Sequence, residues 1–350
     1  MTNLTRINQV LIFFIATVVV LYFGAPFLIP VVFGVFLAML MTPFSDWLEK
    51  KGMNRIFSSV SSTLVVFVVT AGLLFLVLFQ LRTFLSDLPA MRDQLSEYLN
   101  HLQNYIASAS DLSKQEQDNM LKNLSENLLN RLESQIASVF ANMATVGFNF
   151  ILVFVYALLM LLYRRKLTQV IIMYVRDNEK ENARKAVLKM GHVAYHYLWG
   201  RLKVMMLLAL MYLITLFLFG IPYAVLLTIA GSVITIIPYI GPLIGIFIPV
   251  LVYTLHADGI YPVMIFTGVV FVIHLVESYL LEPLIVGREV ELNPLMVIVA
   301  IISGGLIWGT AGMIMFVPIF AIIKIASAQF TALEPVRYLL STGKQSENPI

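Results

Sequence analysis

The apolar positions of this chain come in long unbroken runs, not in the alternation of a half-buried strand or the single stripe of a surface helix. Runs at 8–24, 27–43, 58–80 and 145–163 approach the length needed to cross a hydrocarbon core of about 30 Å at 1.5 Å per residue. The first two are joined by a tight Gly24–Ala25–Pro26 turn. From Val204 to Ala257 there is no Asp, Glu, Lys or Arg. That stretch makes roughly 80 Å of helix, too much for one crossing. Breakers at 220–222 and 238–242 are its natural fold-back points, which predicts spans near 204–219, 222–237, 243–256 and 260–281. The last apolar block, 295–330, is interrupted by SGGLIWGTAG at 303–312. Pro294 to Ile307 is short for a crossing of about 20 residues. This predicts a helical hairpin with its tip at Gly304–Gly305 or Gly309; close helix packing through small residues is the alternative.

Between the third and fourth runs the pattern changes. Residues 82–140 are polar and suggest two amphipathic helices. Leu88, Met91, Leu95, Leu99, Leu102 and Ile106 recur at helical steps, as do Leu121, Leu124, Leu128, Leu132, Ile136 and Val139. Ser113 with Glu116 forms a capping box for the second. The two stripes bury each other in a hairpin, meet a second protomer, or do both.

Composition agrees. Of 350 residues 59% are hydrophobic and 12% charged, half the charge of a soluble domain, about 25%. Lipid must be the solvent. The predicted fold class is all-α: a polytopic inner-membrane protein of about eight spans, with re-entrant or helical-hairpin segments and an extracytoplasmic helical insertion. Continuous apolar runs exclude a β-barrel. The net charge of +3 gives no reason to invoke nucleic acid, and there is no cysteine for disulfides or thiolate metal sites. The N-terminal MTNLTRINQ lacks a small-residue cleavage site and reads as the start of an anchor.

Charge sets the expected orientation. Residues 164–203 carry ten Lys and Arg, Arg201 and Lys203 among them, against Asp177, Glu179 and Glu181, so that loop is expected in the cytoplasm together with 46–57. Residues 82–140, with eight acids against five bases, are expected outside, and both termini inside. The regions are then 1–81, a three-span unit; 82–144, the insertion; 145–203, a fourth span and basic linker; 204–334, a transport core; and 335–350, a polar tail.

Broken backbone inside hydrocarbon survives only when buried in protein or lining a wet cavity, and transporters use it to address substrates near the midplane. Pro238 and Pro242 remove amide donors, and Gly241 permits unusual backbone geometry. A re-entrant turn is expected, offering Thr235, Tyr239 and the carbonyls of Ile237 and Ile240 to a ligand; a plain turn at the membrane surface is the rival. The two broken segments, 238–242 and 303–312, are expected to meet near the midplane. Ionisable groups inside FVIHLVESYLLEP, namely His274, Glu277 and Glu282, are candidates for binding a proton or cation, because a carboxylate in the membrane is costly. His274 and Glu277 share a helical face. The alternatives are snorkelling and helix capping, and Lys324 is a candidate partner for either carboxylate. His192 and His196 could form a metal pair, but no third ligand lies near. An interfacial helix with Tyr195, Tyr197 and Trp199 in the headgroup belt, anchored by Arg201 and Lys203, fits better. No metal or cofactor site is expected. No Walker loop, G-x-S-x-G, H-E-x-x-H or dinucleotide fingerprint occurs, so the chain is not read as an enzyme.

IIPYIGPLIGIFIPV, followed by ESYLLEPLIVGREVELNPLMVIVAIISGGLIWGTAGMIMFVPIFAIIKI, resembles the signature half of the autoinducer-2 exporter family of bacterial permeases. The resemblance extends over nearly the whole chain and is strongest to an enterobacterial branch. It implies export of small molecules, or sodium- or lithium-proton antiport, by a homo-oligomer, with a pentamer as one form. Carried over by position, it marks Pro238, Tyr239, Gly241, Pro242, Glu282, Pro283, Gly287, Pro294, Gly304, Gly305, Gly309 and Gly312. Asn293 stands where the family has His and is a candidate for tuning substrate or ion, as is Ser303 beside the glycines. The expected function is therefore an ion-coupled secondary transporter of a small molecule. An ion-only antiporter and a non-transporting oligomeric scaffold are the rival readings.

Overall fold

The computed structural model describes residues 3–106, 127, 130–131, 133–175, 177–237, 240–257, 259–286, 292–330 and 333–342. Among these the regular elements are helices, with one isolated bridge between Leu292 and Ser341. In chain order they are α1 (Asn3–Phe23), α2 (Ala25–Lys50), α3 (Arg55–Ile106), α4 (Met143–Met173), α5 (Lys180–Leu218), α6 (Ala224–Ile234), α7 (Ile240–Thr254), α8 (Ile260–Val276), a π-helical segment (Glu277–Val286), α9 (Pro294–Ser327) and α10 (Glu334–Leu340). Six are long and apolar enough to cross a membrane. The predicted all-α polytopic class is the one observed.

Local chemistry sets the turns. Pro26 sits in the first turn of α2, where its missing N–H costs nothing. At the opposite end of α2, Arg164 of α4 donates to Asp46 at 2.5 Å and to Glu49 at 2.7 Å, and Arg165 donates to Glu49 at 3.1 Å. The hydroxyl of Ser58 on α3 donates to the Ser45 carbonyl at 2.5 Å. This locked end, with Lys51, is the basic end. Helix α3 runs on from it without a break through Ile106, about 78 Å of helix. The first predicted amphipathic helix is thus its continuation. Of the second, the capping box and Leu121, Leu124, Leu128 and Leu132 lie outside the described residues, while 133–141, with Ile136 and Val139, is helical.

The two predicted breaks become two helical hairpins that enter from opposite ends. Helices α6 and α7 form the first. It is rooted at the far end, where the α6 amide of Leu226 donates to Gln80 of α3 at 3.1 Å and Leu88 packs on Leu255. Thr235, at its tip, is buried inside the molecule. The arms were expected as spans 222–237 and 243–256, but at 11 and 15 residues they are too short to cross. Helix α9 is the second. Gly309 has φ 60° and ψ −142°, and beyond it the chain doubles back. Gly304 and Gly312 would lie about 12 Å apart in a straight helix. Instead their backbones touch: a Cβ on Gly304 would sit 2.3 Å from the Gly312 carbonyl oxygen. The hairpin reading holds, with its tip at Gly309. Trp308 there donates to the Leu21 carbonyl of α1 at 2.8 Å.

Helix α5 carries both hairpins, but in separate clusters. Leu208, Tyr212 and Leu216 pack with α6, α7 and α8, while Tyr197 and Val204 pack with α9 and the π-helical segment. The expected meeting of the broken segments therefore does not occur among the described residues; α5 stands between them. Nor do Tyr195, Tyr197, Trp199, Arg201 and Lys203 form the separate interfacial helix expected for them. They lie in the middle of one continuous 39-residue helix, with Ala194, Tyr197, Gly200 and Arg201 buried against other helices.

Candidate functional site

On α5, Tyr197, Arg201, Val204, Leu208 and Tyr212 recur every three or four residues and form one buried face. Two members of that face are polar, and each organises a cluster.

Arg201 meets the tip of the first hairpin. Its Nη1 donates to Glu282 at 2.5 Å, and its Nη2 donates to the carbonyl of Thr235, the residue that ends α6. Its buried Nε finds no partner. The pair is lopsided: the Arg201 side chain is 6% exposed and that of Glu282 is 43%. Gly200 makes the approach possible, since a Cβ there would lie 3.1 Å from the Ile285 carbonyl. The π-helical turn sets Glu277 and Glu282 about one turn apart on the segment facing α5.

Tyr212 organises the second cluster. Its hydroxyl donates to the Gly245 carbonyl on α7 at 2.9 Å and bonds Nε2 of His274. Nδ1 of His274 bonds Glu277 at 2.8 Å. Glu277 is 2% exposed and Tyr212 and His274 are buried with it. The chain begins with a proline. In a helix the Gly245 carbonyl would accept from the amide four residues on, but that residue is Pro249, which has none. Tyr212 supplies the missing donor. Because a carbonyl only accepts, the Tyr212 proton lies on Gly245 when that bond is made. His274 must then donate from Nε2, and a second proton lies between Nδ1 and Glu277. With the Tyr212 proton on Gly245 the pair holds two protons and no net charge; with that proton donated to Nε2 of His274 the pair holds one.

The remaining candidates divide. Thr235 is buried at the tip, but its carbonyl is taken by Arg201 and its hydroxyl donates to Ser232 at 2.8 Å. The Ile237 carbonyl accepts from the Gly241 amide at 2.9 Å. Gly241 is required for close approach, not for unusual φ: a Cβ would sit 2.2 Å from the Ile234 carbonyl, and its φ is not positive. Pro242 lies in the first turn of α7. Pro238, Tyr239 and Gly287 lie outside the described residues. Asn293 caps α9, accepting from the Leu295 amide at 3.0 Å, and Ser303 donates back to Val299 at 2.6 Å. Gly304, Gly305 and Gly309 build the second hairpin. Neither Asn293 nor the hairpin residues join the polar clusters. Lys324 was proposed to pair with a carboxylate, but the bonds of Glu277 and Glu282 described above go to His274 and Arg201. Arg201, expected from sequence only as an interfacial anchor, and Tyr212, which the sequence did not single out, are the centres. Among the described residues no group of three or more His, Asp or Glu is placed to hold a metal ion. A groove of 590 Å³ between α5 and α8, lined by Met211, Ile214, Ile265, Val269 and Val272, carries none of the ionisable groups.

Residues 11–332 match the family described as "AI-2E family transporter". The chain belongs to the AI-2E transporter family. Among its relatives, "Putative transport protein YrrI" of Bacillus subtilis is 26% identical over 317 residues, covering 86% of each chain. "AI-2 transport protein TqsA" of Escherichia coli is 25% identical over 327 residues, 91% of this chain and 90% of its own. "Putative transport protein YhhT" of Escherichia coli is 20% identical over 338 residues, 94% and 93%. Both polar clusters and both hairpins fall inside the matched region, so the AI-2E assignment and the geometry concern the same part of the chain: a multi-pass membrane protein of a transport family.

Proposed function

We propose that this AI-2E protein is a proton-coupled secondary transporter of a small polar molecule across the inner membrane, with both termini cytoplasmic, working as a homo-oligomer. One observation carries the reading: the buried chain Glu277–His274–Tyr212 ends on a carbonyl of a re-entrant hairpin. A group that exchanges a proton with water changes charge beside a segment that does not cross the membrane, and such segments are where transporters hold solute. The Arg201–Glu282 pair holds the tip of the same hairpin. TqsA, described as an AI-2 transport protein, favours an organic substrate.

The test is proton flux in liposomes carrying the purified protein and a trapped pH indicator, together with metabolite profiles inside and outside cells with and without it. Glu277→Gln keeps the shape of the side chain and removes its charge. Flux is expected to fall to the level of empty liposomes while the variant remains folded. Unchanged flux would mean that the pair is structural. Flux driven by sodium or lithium alone, with no metabolite change in cells, would give an antiporter without organic substrate.

A further inference from the structure

We infer that Tyr212 transmits the proton state of the Glu277–His274 pair to helix α7, by choosing between the Gly245 carbonyl and the histidine as acceptor for its single proton. The inference rests on the proton-coupled reading above and adds the part that moves.

The argument is a count of protons and lone pairs. With two protons on the pair, His274 donates from Nε2 and the Tyr212 hydroxyl serves Gly245. When the pair loses one proton to solution, Glu277 is a carboxylate. It then takes the Nδ1 proton as its hydrogen bond, so Nε2 becomes a bare lone pair. If the hydroxyl proton stayed on Gly245, two lone pairs would face each other across a short contact. The hydroxyl therefore turns to donate to Nε2. Gly245 loses its donor, and Pro249 offers none in its place. A bare carbonyl in the membrane interior is costly, and it is relieved by bending α7 within the 245–249 turn. The hairpin tip lies just before that turn.

Little else competes for this proton. Helix α6 carries no ionisable side chain, and α7 carries only Tyr253, which packs on Phe219 and Phe266. From α5 the group facing the pair is Tyr212, with Arg201 further along, bound to Glu282 of the π-helical segment. A Cβ on Gly245 would lie 3.3 Å from the His274 ring and 3.4 Å from the Tyr212 hydroxyl, so glycine there lets α7 close on the pair.

The chain has no cysteine, so spin labels at Leu243→Cys on α7 and Met264→Cys on α8, both exposed, report the hairpin alone. Electron–electron distances are measured in liposomes from pH 5 to 9, with proton uptake followed by indicator dye on the same preparations. The doubly labelled parent should show a resolved pH-dependent shift. Tyr212→Phe, which keeps the ring and removes the hydroxyl, should abolish the shift. Pro249→Ala, which gives Gly245 a backbone donor and should fold at least as well, should abolish the shift equally. A full shift in either variant, or none in the parent, overturns the inference. Proton uptake that persists in Glu277→Gln would instead overturn the proton site, a separate failure.

Discussion

At the scale of single residues, the Arg201–Glu282 pair makes an uneven demand on its partners. Removing Glu282 leaves a guanidinium that is 6% exposed without its counter-charge, whereas removing Arg201 leaves a carboxylate that is 43% exposed and within reach of water. Breaking a buried pair by deleting one partner costs about 3–5 kcal/mol; losing hydrogen bonds around a partly solvated group costs about 1–3 kcal/mol. Glu282→Ala is therefore expected to destabilise more than Arg201→Ala. The double change Arg201→Met with Glu282→Leu should fall below Glu282→Ala alone. Thermal unfolding in detergent orders the three variants. The carboxylates and His274 were legible in sequence because each interrupts an apolar run. Arg201 was not, since it sits near the end of a basic stretch, and only the burial of one face of α5 sets it apart there. Tyr212 was hidden for the opposite reason: an aromatic in an apolar helix looks like core until its hydroxyl finds an acceptor.

At the scale of elements, both hairpins were legible as breakers inside apolar runs too long or too short for whole crossings. The reason for each glycine was not. Gly309 is needed for its positive φ, while Gly241 and Gly304 are needed because backbone passes where a side chain would be. Gly304→Ala puts a methyl group 2.3 Å from the Gly312 carbonyl, so the arms must part. Overpacking of this kind costs about 1–3 kcal/mol. Gly72→Ala on α3, where nothing lies within 4 Å, is the matched control. The melting temperature should drop for the first and hold for the second. The π-helical segment had no sequence signal beyond Pro283. Its extra residue per turn reflects docking against Gly200 and Arg201, a tertiary constraint that local propensity does not carry.

At the scale of the whole molecule, the all-α membrane class followed from the apolar runs, whereas the position of α5 between the two hairpins did not. Which helix becomes the spine depends on long-range contacts. At the far end, beside the Leu226–Gln80 bond, Tyr223 at the start of α6 donates to Asp87 of α3. Burial, then that bond, pushes the Tyr223 hydroxyl from 10.0 up to about 12. A group whose value rises on folding contributes stability that is complete below its unfolded value and is lost as pH climbs through its folded one. The contact should thus be intact below about pH 10 and fail as pH passes 12. Stability measured from pH 9 to 12.5 should decline, and Tyr223→Phe should flatten that decline.

The crossing of Gly304 over Gly312 also bears on descent. Two backbones in van der Waals contact leave room for hydrogen alone at both places, so neither site can drift by itself to alanine or serine without parting the arms. Any homologue that keeps this doubled-back α9 must inherit the two glycines as a unit. A homologue that has lost one must have lengthened the strand between them or straightened it into a full crossing, and that would change the parity of its topology and the side on which its C-terminus emerges.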